Sequence, residues 1–145
     1  MFVLVVGAGR VGSSVATSAL RGGHTVSVLD EDPLSHERLD VELGQPWEAA
    51  GGRFTIGTAL EMEALQEAGV AEAHVFIAST NGDNTNLVIA QIAQRRFEVP
   101  RVVARVLDPR RAAWYQEQGL RTICPTQIAI EQLERAALTD PVETG

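Results

Sequence analysis

Short runs of β-branched and apolar residues alternate with longer segments of helical period along nearly the whole chain. The strand-like runs are Phe2–Val6, Thr25–Leu29, Arg53–Ile56, His74–Ala78, Arg101–Val106 and a short Arg121–Ile123. Most are too apolar for a strand with one wet face, which predicts a sheet covered on both sides. Between them the spacing predicts helices at about Val11–Arg21, Pro33–Leu43, Leu60–Ala68, Asp83–Phe97 and Pro109–Gln118. Gly22-Gly23, Gly44, Gly69 and Gly119 sit where helix stops belong, and a last helix is expected at about Ile128–Leu138, after Pro125. Strand and helix in strict alternation are the pattern of βαβ units and a parallel sheet. Residues 1–138 are expected to form one domain and 139–145 a flexible tail. Only Gly44–Gly52, with Gln45-Pro46-Trp47 and Gly51-Gly52, breaks the alternation, and it reads as a loop carrying a loosely packed tryptophan.

Composition narrows the chemistry. A chain of 145 residues, 45% of them hydrophobic, is long enough for one core that needs neither disulfide nor metal. The formal net charge of −7 argues against nucleic acid or an anionic membrane as the main partner, since both reward basic patches. All twelve basic residues are arginine. Without lysine, Schiff-base chemistry, a P-loop phosphate lysine and a Tyr-x-x-x-Lys reductase pair are excluded for these residues. One cysteine, Cys124, cannot form an internal disulfide and fits a reducing compartment, with the cytosol as the default. The apolar start Phe2–Val6 is too short for a leader or a membrane span and is expected to be a buried strand.

Directly after the first strand stands Gly7-Ala8-Gly9-Arg10-Val11-Gly12, a G-x-G-x-x-G run opening the first helix. The first glycine allows the tight turn, the second lets a phosphate approach the backbone, and the third lets helix pack closely on strand. A phosphate placed there meets the positive end of the helix. The second strand leads to Asp30, eighteen residues past Gly12, where a dinucleotide-binding fold places the acid that takes the ribose hydroxyls. Together these predict a Rossmann-like doubly wound parallel sheet of about six strands. Asp30-Glu31-Asp32 should repel a 2′-phosphate, favouring NAD or an adenine nucleotide over NADP. Glu31 and Asp32 also read as solvated charge and an N-cap for the helix at Pro33.

A second polar cluster, Ser79 to Asn86, follows the fourth strand on the edge where open α/β sheets bind ligands. Thr80, Asn81 or Asp83 is an equal candidate to cap the helix beyond, which leaves its neighbours free for a ligand. Arg105 ends a strand otherwise made of Val and Ala, where packing needs no guanidinium, so an anionic partner is expected. His24, His36 and His74 share no metal-ligand spacing, and Ser13-Ser14 lacks a nucleophile elbow. Trp114-Tyr115 reads as packing or an interface patch.

Taken in order, Gly7–Gly12, Asp30, Gly57-Thr58-Ala59, Ala64 to Val70, Ser79–Asn86 and Ala104-Arg105 closely resemble the nucleotide-binding domain of Trk-type potassium-uptake regulators, the RCK or KTN family, over about residues 1–138. The resemblance implies a cytoplasmic, non-catalytic regulatory domain at the inner face of the membrane, forming a homodimer or higher homo-oligomer. It would bind NAD(H) or ATP/ADP and gate a membrane K⁺ channel or transporter. On that pattern Gly7, Gly9 and Gly12 line the phosphates, Val11 within the same turn belongs to the candidate set, and Arg10 reaches a terminal phosphate. Asp30 takes the ribose beside Glu31, Thr80 borders the adenosine, and Arg105 lies near the phosphate end. Thr58, Ala59, Ser79, Asn81, Asp83 and Asn86 complete the candidate set. Thr58 departs from the family, many of whose members carry Gly-Asp-Ala there, a carboxylate near the adenine. These residues also lack the smaller C-terminal ligand domain that usually follows, which fits a truncated chain or a one-domain member alike. The last helix, with apolar Ile130, Leu133, Ala137 and Leu138, matches a family helix that crosses to a partner. The rival from another class is the nucleotide-binding domain of an NAD-dependent oxidoreductase, which uses the same fingerprint but needs a substrate site and proton donor. A pure assembly scaffold is a third reading, weighed against by the intact glycines and Asp30.

Overall fold

The computed structural model describes residues 1–138; the expected tail at 139–145 lies outside the described residues. Six strands, β1 Phe2–Val6, β2 Thr25–Asp30, β3 Arg53–Ile56, β4 Val75–Ala78, β5 Arg101–Arg105 and β6 Arg121–Ile123, form one sheet in the order 3-2-1-4-5-6. Every pairing is parallel. The helices are α1 Arg10–Arg21, α2 Leu34–Leu43, α3 Met62–Glu67, α4 Asp83–Arg95, α5 Pro109–Glu117 and α6 Pro125–Leu138. This is the doubly wound arrangement the alternation predicts.

Pleating explains why the strands are apolar throughout. In β1, Val3 and Val5 enter one core with Ala16 of α1 and Leu39 and Leu43 of α2. Leu4 and Val6 enter the opposite core, with Leu65 of α3, Leu87, Ile89 and Ala93 of α4, and Ala112 of α5. Successive side chains leave opposite faces, so a strand buried on both sides can carry no polar alternation.

Three local expectations are corrected. Trp47 is not loosely packed: it is fully buried, in the core under α1 and α2, and its indole N–H donates to the Arg53 carbonyl at 2.9 Å. The segment around it holds a 3₁₀ turn, Glu48–Ala50, closed by Gly51 at φ 95°. Gly52 makes room for the indole, since a Cβ there would lie 2.3 Å from the ring. None of Thr80, Asn81 and Asp83 caps α4, whose N-cap position is Gly82 without a side-chain bond. The last helix starts at Pro125, three residues earlier than its apolar pattern, because proline at a first helical position lacks only an N–H that has no helical partner anyway.

Candidate functional site

Strand order reverses between β1 and β4, and the crevice beyond their carboxyl ends is where this sheet opens a cavity of about 460 Å³. That volume suits a small ligand or cofactor. Its floor is Val6 and Leu29, the ends of β1 and β2.

The glycine turn forms one wall. Gly7 stands at φ 95°, a conformation that favours glycine, and a Cβ on it would come within 2.6 Å of the Thr80 nitrogen. A Cβ on Gly12 would lie 1.8 Å from the Gly7 carbonyl oxygen, so helix and turn touch there only because residue 12 is glycine. Gly9 differs: nothing lies within 4 Å of where its Cβ would stand. No side chain caps α1, and its first helical bond runs from Ser13 N–H to Gly9 carbonyl at 2.9 Å. The N–H groups of Arg10, Val11 and Gly12 therefore precede the helical ladder, a positive end suited to an anion.

Asp30 organises the second wall. Its carboxylate accepts the Ala8 N–H at 2.7 Å and the Asp32 N–H at 2.8 Å, tying β2 to the glycine turn. Asp32 in turn accepts the Leu34 N–H at 2.9 Å at the start of α2, although the N-cap position itself is Pro33 rather than the expected Asp32. Arg38 donates to the Ala8 carbonyl at 2.7 Å, so both ends of one residue in the turn are held from this wall. Across the cavity, Ser79 is buried and its hydroxyl lies 2.9 Å from the Gly7 carbonyl. The turn is thus gripped from both sides.

Nine candidate residues line the cavity: Gly7, Gly9, Asp30, Glu31, Thr58, Ala59, Ser79, Thr80 and Asn81. Six do not. Arg10 and Val11 are exposed on the first turn of α1, and Gly12 is buried behind the glycine turn. Asp83 accepts the Leu107 and Asp108 N–H groups at 2.8 and 3.1 Å, bracing α4 against the loop after β5. Asn86, 1% exposed, accepts from Thr80 N–H and Oγ1 and donates to the carbonyls of Thr80 and Arg105. It holds the fourth and fifth strand ends together. Arg105 donates to the Thr80 carbonyl at 3.2 Å while its Nε is buried without a hydrogen-bond partner, leaving donor capacity for an anion.

Sequence reasoning passed over Ser35 and Arg38, both in the cavity wall. Their signal was the spacing of three, which puts them on one face of α2 beginning just past Asp30. Arg38 is also the cation among the lining residues.

Residues 3–126 match the TrkA-N domain family. The chain is 38% identical over 143 residues to the Trk system potassium uptake protein TrkA of Streptomyces coelicolor, covering 99% of this chain and 61% of that protein. It therefore spans less than two thirds of that relative. Among solved structures it resembles the TrkA-N domain of the inner membrane protein ybaL from Escherichia coli, with TM-score 0.78, 20% identity, and 94% and 96% of the two chains covered. It also resembles the C-terminal domain of Shewanella denitrificans Kef in its AMP-bound form, with TM-score 0.74, 23% identity, and 95% and 80% covered. At those identities the likeness carries the fold. With a glycine turn, an acid at the end of β2 and a family match over most of its length, the chain belongs to the TrkA-N domain family.

Proposed function

We propose that this domain senses an adenine nucleotide, NAD(H) or ATP/ADP, for a potassium-uptake system and passes the signal to a membrane K⁺ channel or transporter. One observation carries the reading: the crevice at the sheet's switch point joins an uncapped helix start behind open space at Gly9 with a carboxylate at Asp30. The diphosphate lies along Gly7 to Gly12, and the ribose hydroxyls bond Asp30. The adenine lies between Thr58-Ala59 and Thr80-Asn81. Asn86 and Asp83 position that wall without touching ligand, Arg105 adds positive charge behind the Thr80 carbonyl toward the phosphate end, and exposed Arg10 reaches a terminal phosphate. Glu31 and Asp32 favour an unphosphorylated ribose, with one Arg38 donor engaged at the Ala8 carbonyl.

The relative's name as a potassium uptake protein and the AMP in the Kef domain support this reading over a hydride-transfer enzyme. No histidine, lysine, cysteine or tyrosine lines the cavity to serve as proton donor, which weighs the same way. As a regulator the domain works at the cytoplasmic face, held to the membrane by its partner and assembled with copies of itself.

Thermal unfolding with NAD, NADH, NADP, ATP, ADP and AMP tests the proposal. A ligand at a hundred times its Kd that binds only the folded state stabilises by about 2.7 kcal/mol. The expected result is stabilisation by one or more of the unphosphorylated-ribose nucleotides, lost in Gly9→Val; no shift with any of them overturns the assignment.

A further inference from the structure

A second cluster of ligating groups lies outside the nucleotide cavity, on another face of α2. The helical period sets His36 and Asp40 one turn apart on one face. The 3₁₀ turn after Trp47 then returns Glu48 to the same spot. His36 Nε2 stands 2.6 and 2.8 Å from the two Glu48 oxygens, and Nδ1 stands 3.7 Å from Asp40 Oδ2. One donor atom from each residue can be chosen so that all lie within 4.8 Å of one another. None of the three lines the nucleotide cavity.

We propose that His36, Asp40 and Glu48 bind one divalent transition-metal ion of the zinc class. The donor set selects the ion: an imidazole with two carboxylates suits zinc-like cations, whereas calcium wants six to eight oxygens and magnesium keeps most of its waters. Three protein ligands leave a fourth tetrahedral position for water. Donors around zinc at bonds of about 2.0–2.2 Å stand roughly 3.4 Å apart; Glu48 and Asp40 face different nitrogens of the imidazole, so an ion on Nε2 requires the Asp40 carboxylate and the ring to turn toward one another.

The groups behind the ligands fix their orientation. The buried Trp47 donates its backbone N–H to Asp40 Oδ1 at 2.7 Å, which leaves Oδ2 facing the histidine. The His36 ring packs edge-on against Phe54, with centroids 5.2 Å apart and planes at 68°. Such contacts behind a ligand set are what hold metal sites in shape. The net charge of −7 adds a general attraction for cations. A bound ion staples α2 to the segment that leads into β3, and α2 also carries Ser35 and Arg38 of the cavity wall.

The test is titration of the 145-residue chain with Zn²⁺ in competition with a chromophoric chelator. The expected result is one equivalent per chain, weakened at least about tenfold by His36→Ala and by Asp40→Asn. Asp40→Asn keeps an acceptor for the Trp47 N–H, so it guards against a variant that merely unfolds. A variant with His24→Asn, His74→Asn and Cys124→Ser should keep the site. In Trp114→Phe, Trp47 is the single tryptophan, and Cu²⁺ should quench its fluorescence saturably at one equivalent, an effect lost with His36→Ala. Zinc uptake that survives both His36→Ala and Asp40→Asn, or no uptake at all, overturns the proposal; the latter would leave His36 as a hydrogen-bonded link between two carboxylates.

Discussion

Glycines at 9 and 12 look alike in the motif but meet different surroundings. A Cβ at Gly12 collides with backbone, the Gly7 carbonyl, which cannot swing aside as a side-chain tip would. Gly12→Ala should therefore cost about 1–3 kcal/mol or more in denaturant unfolding and weaken nucleotide binding through the distorted turn. Gly9→Ala meets open space, so its stability should stay within about 1 kcal/mol of the parent, while nucleotide affinity measured by calorimetry falls. Equal stability losses in the two variants would show that the third glycine has no special packing role. Arg10 is exposed, and no packing requirement holds it at the helix start. Arg10→Ala should lose roughly tenfold or more in ATP affinity, the scale of a charge-assisted hydrogen bond, and almost none for AMP. Parallel losses for both nucleotides would remove Arg10 from the site.

At the scale of elements, the connection from α2 to β3 is largely exposed, yet it carries one fully buried side chain, Trp47. Trp47 enters the core between α2 and the sheet, Gly52 clears its ring, and its N–H closes on the Arg53 carbonyl where β3 begins. Trp47→Ala should cost about 3–5 kcal/mol, the usual range for a buried aromatic, plus the stranded carbonyl. A thermal midpoint unchanged within a degree would contradict this burial. Because α2 also brings Ser35 and Arg38 to the cavity, partial loosening here should weaken nucleotide binding before the domain unfolds.

For the whole molecule, the telling element is α6, none of whose residues is buried against the other described residues. Its Leu133 and Leu138 are 69% and 77% exposed, with Ile128 and Ile130 nearly half exposed. Ile130, Leu133 and Leu138 recur at helical spacing, and an exposed apolar stripe of this kind marks an interface. A symmetric dimer built on this helix would bury the same stripe from both copies. Light scattering of the intact chain at micromolar concentration should give at least twice 15.6 kDa, and removing residues from Ile128 onward should give monomers or aggregates. A mass of one chain for the intact protein contradicts an interface on α6.

Features of short sequence range were legible without coordinates. The six strands follow from local apolar runs, and the glycine turn and Asp30 from spacing within one βαβ unit, because these depend on backbone geometry set by near neighbours. Tertiary structure alone decided which polar residues line the cavity and which brace the frame around it. Asp83 and Asn86 read as site residues by position, yet Asp83 bonds the Leu107 and Asp108 N–H groups after β5, and Asn86 links Thr80 to the Arg105 carbonyl at the end of β5. Arg38 was passed over in the sequence, and only the packing of α2 turns it toward Ala8. Trp47 sat among Gly, Pro and Gln, a context that signals a loop, but it is the volume left between α2 and the sheet that determines where an indole goes. Periodicity reports the faces of single elements; the gaps between elements, and the partners that fill them, exist only once the elements have docked.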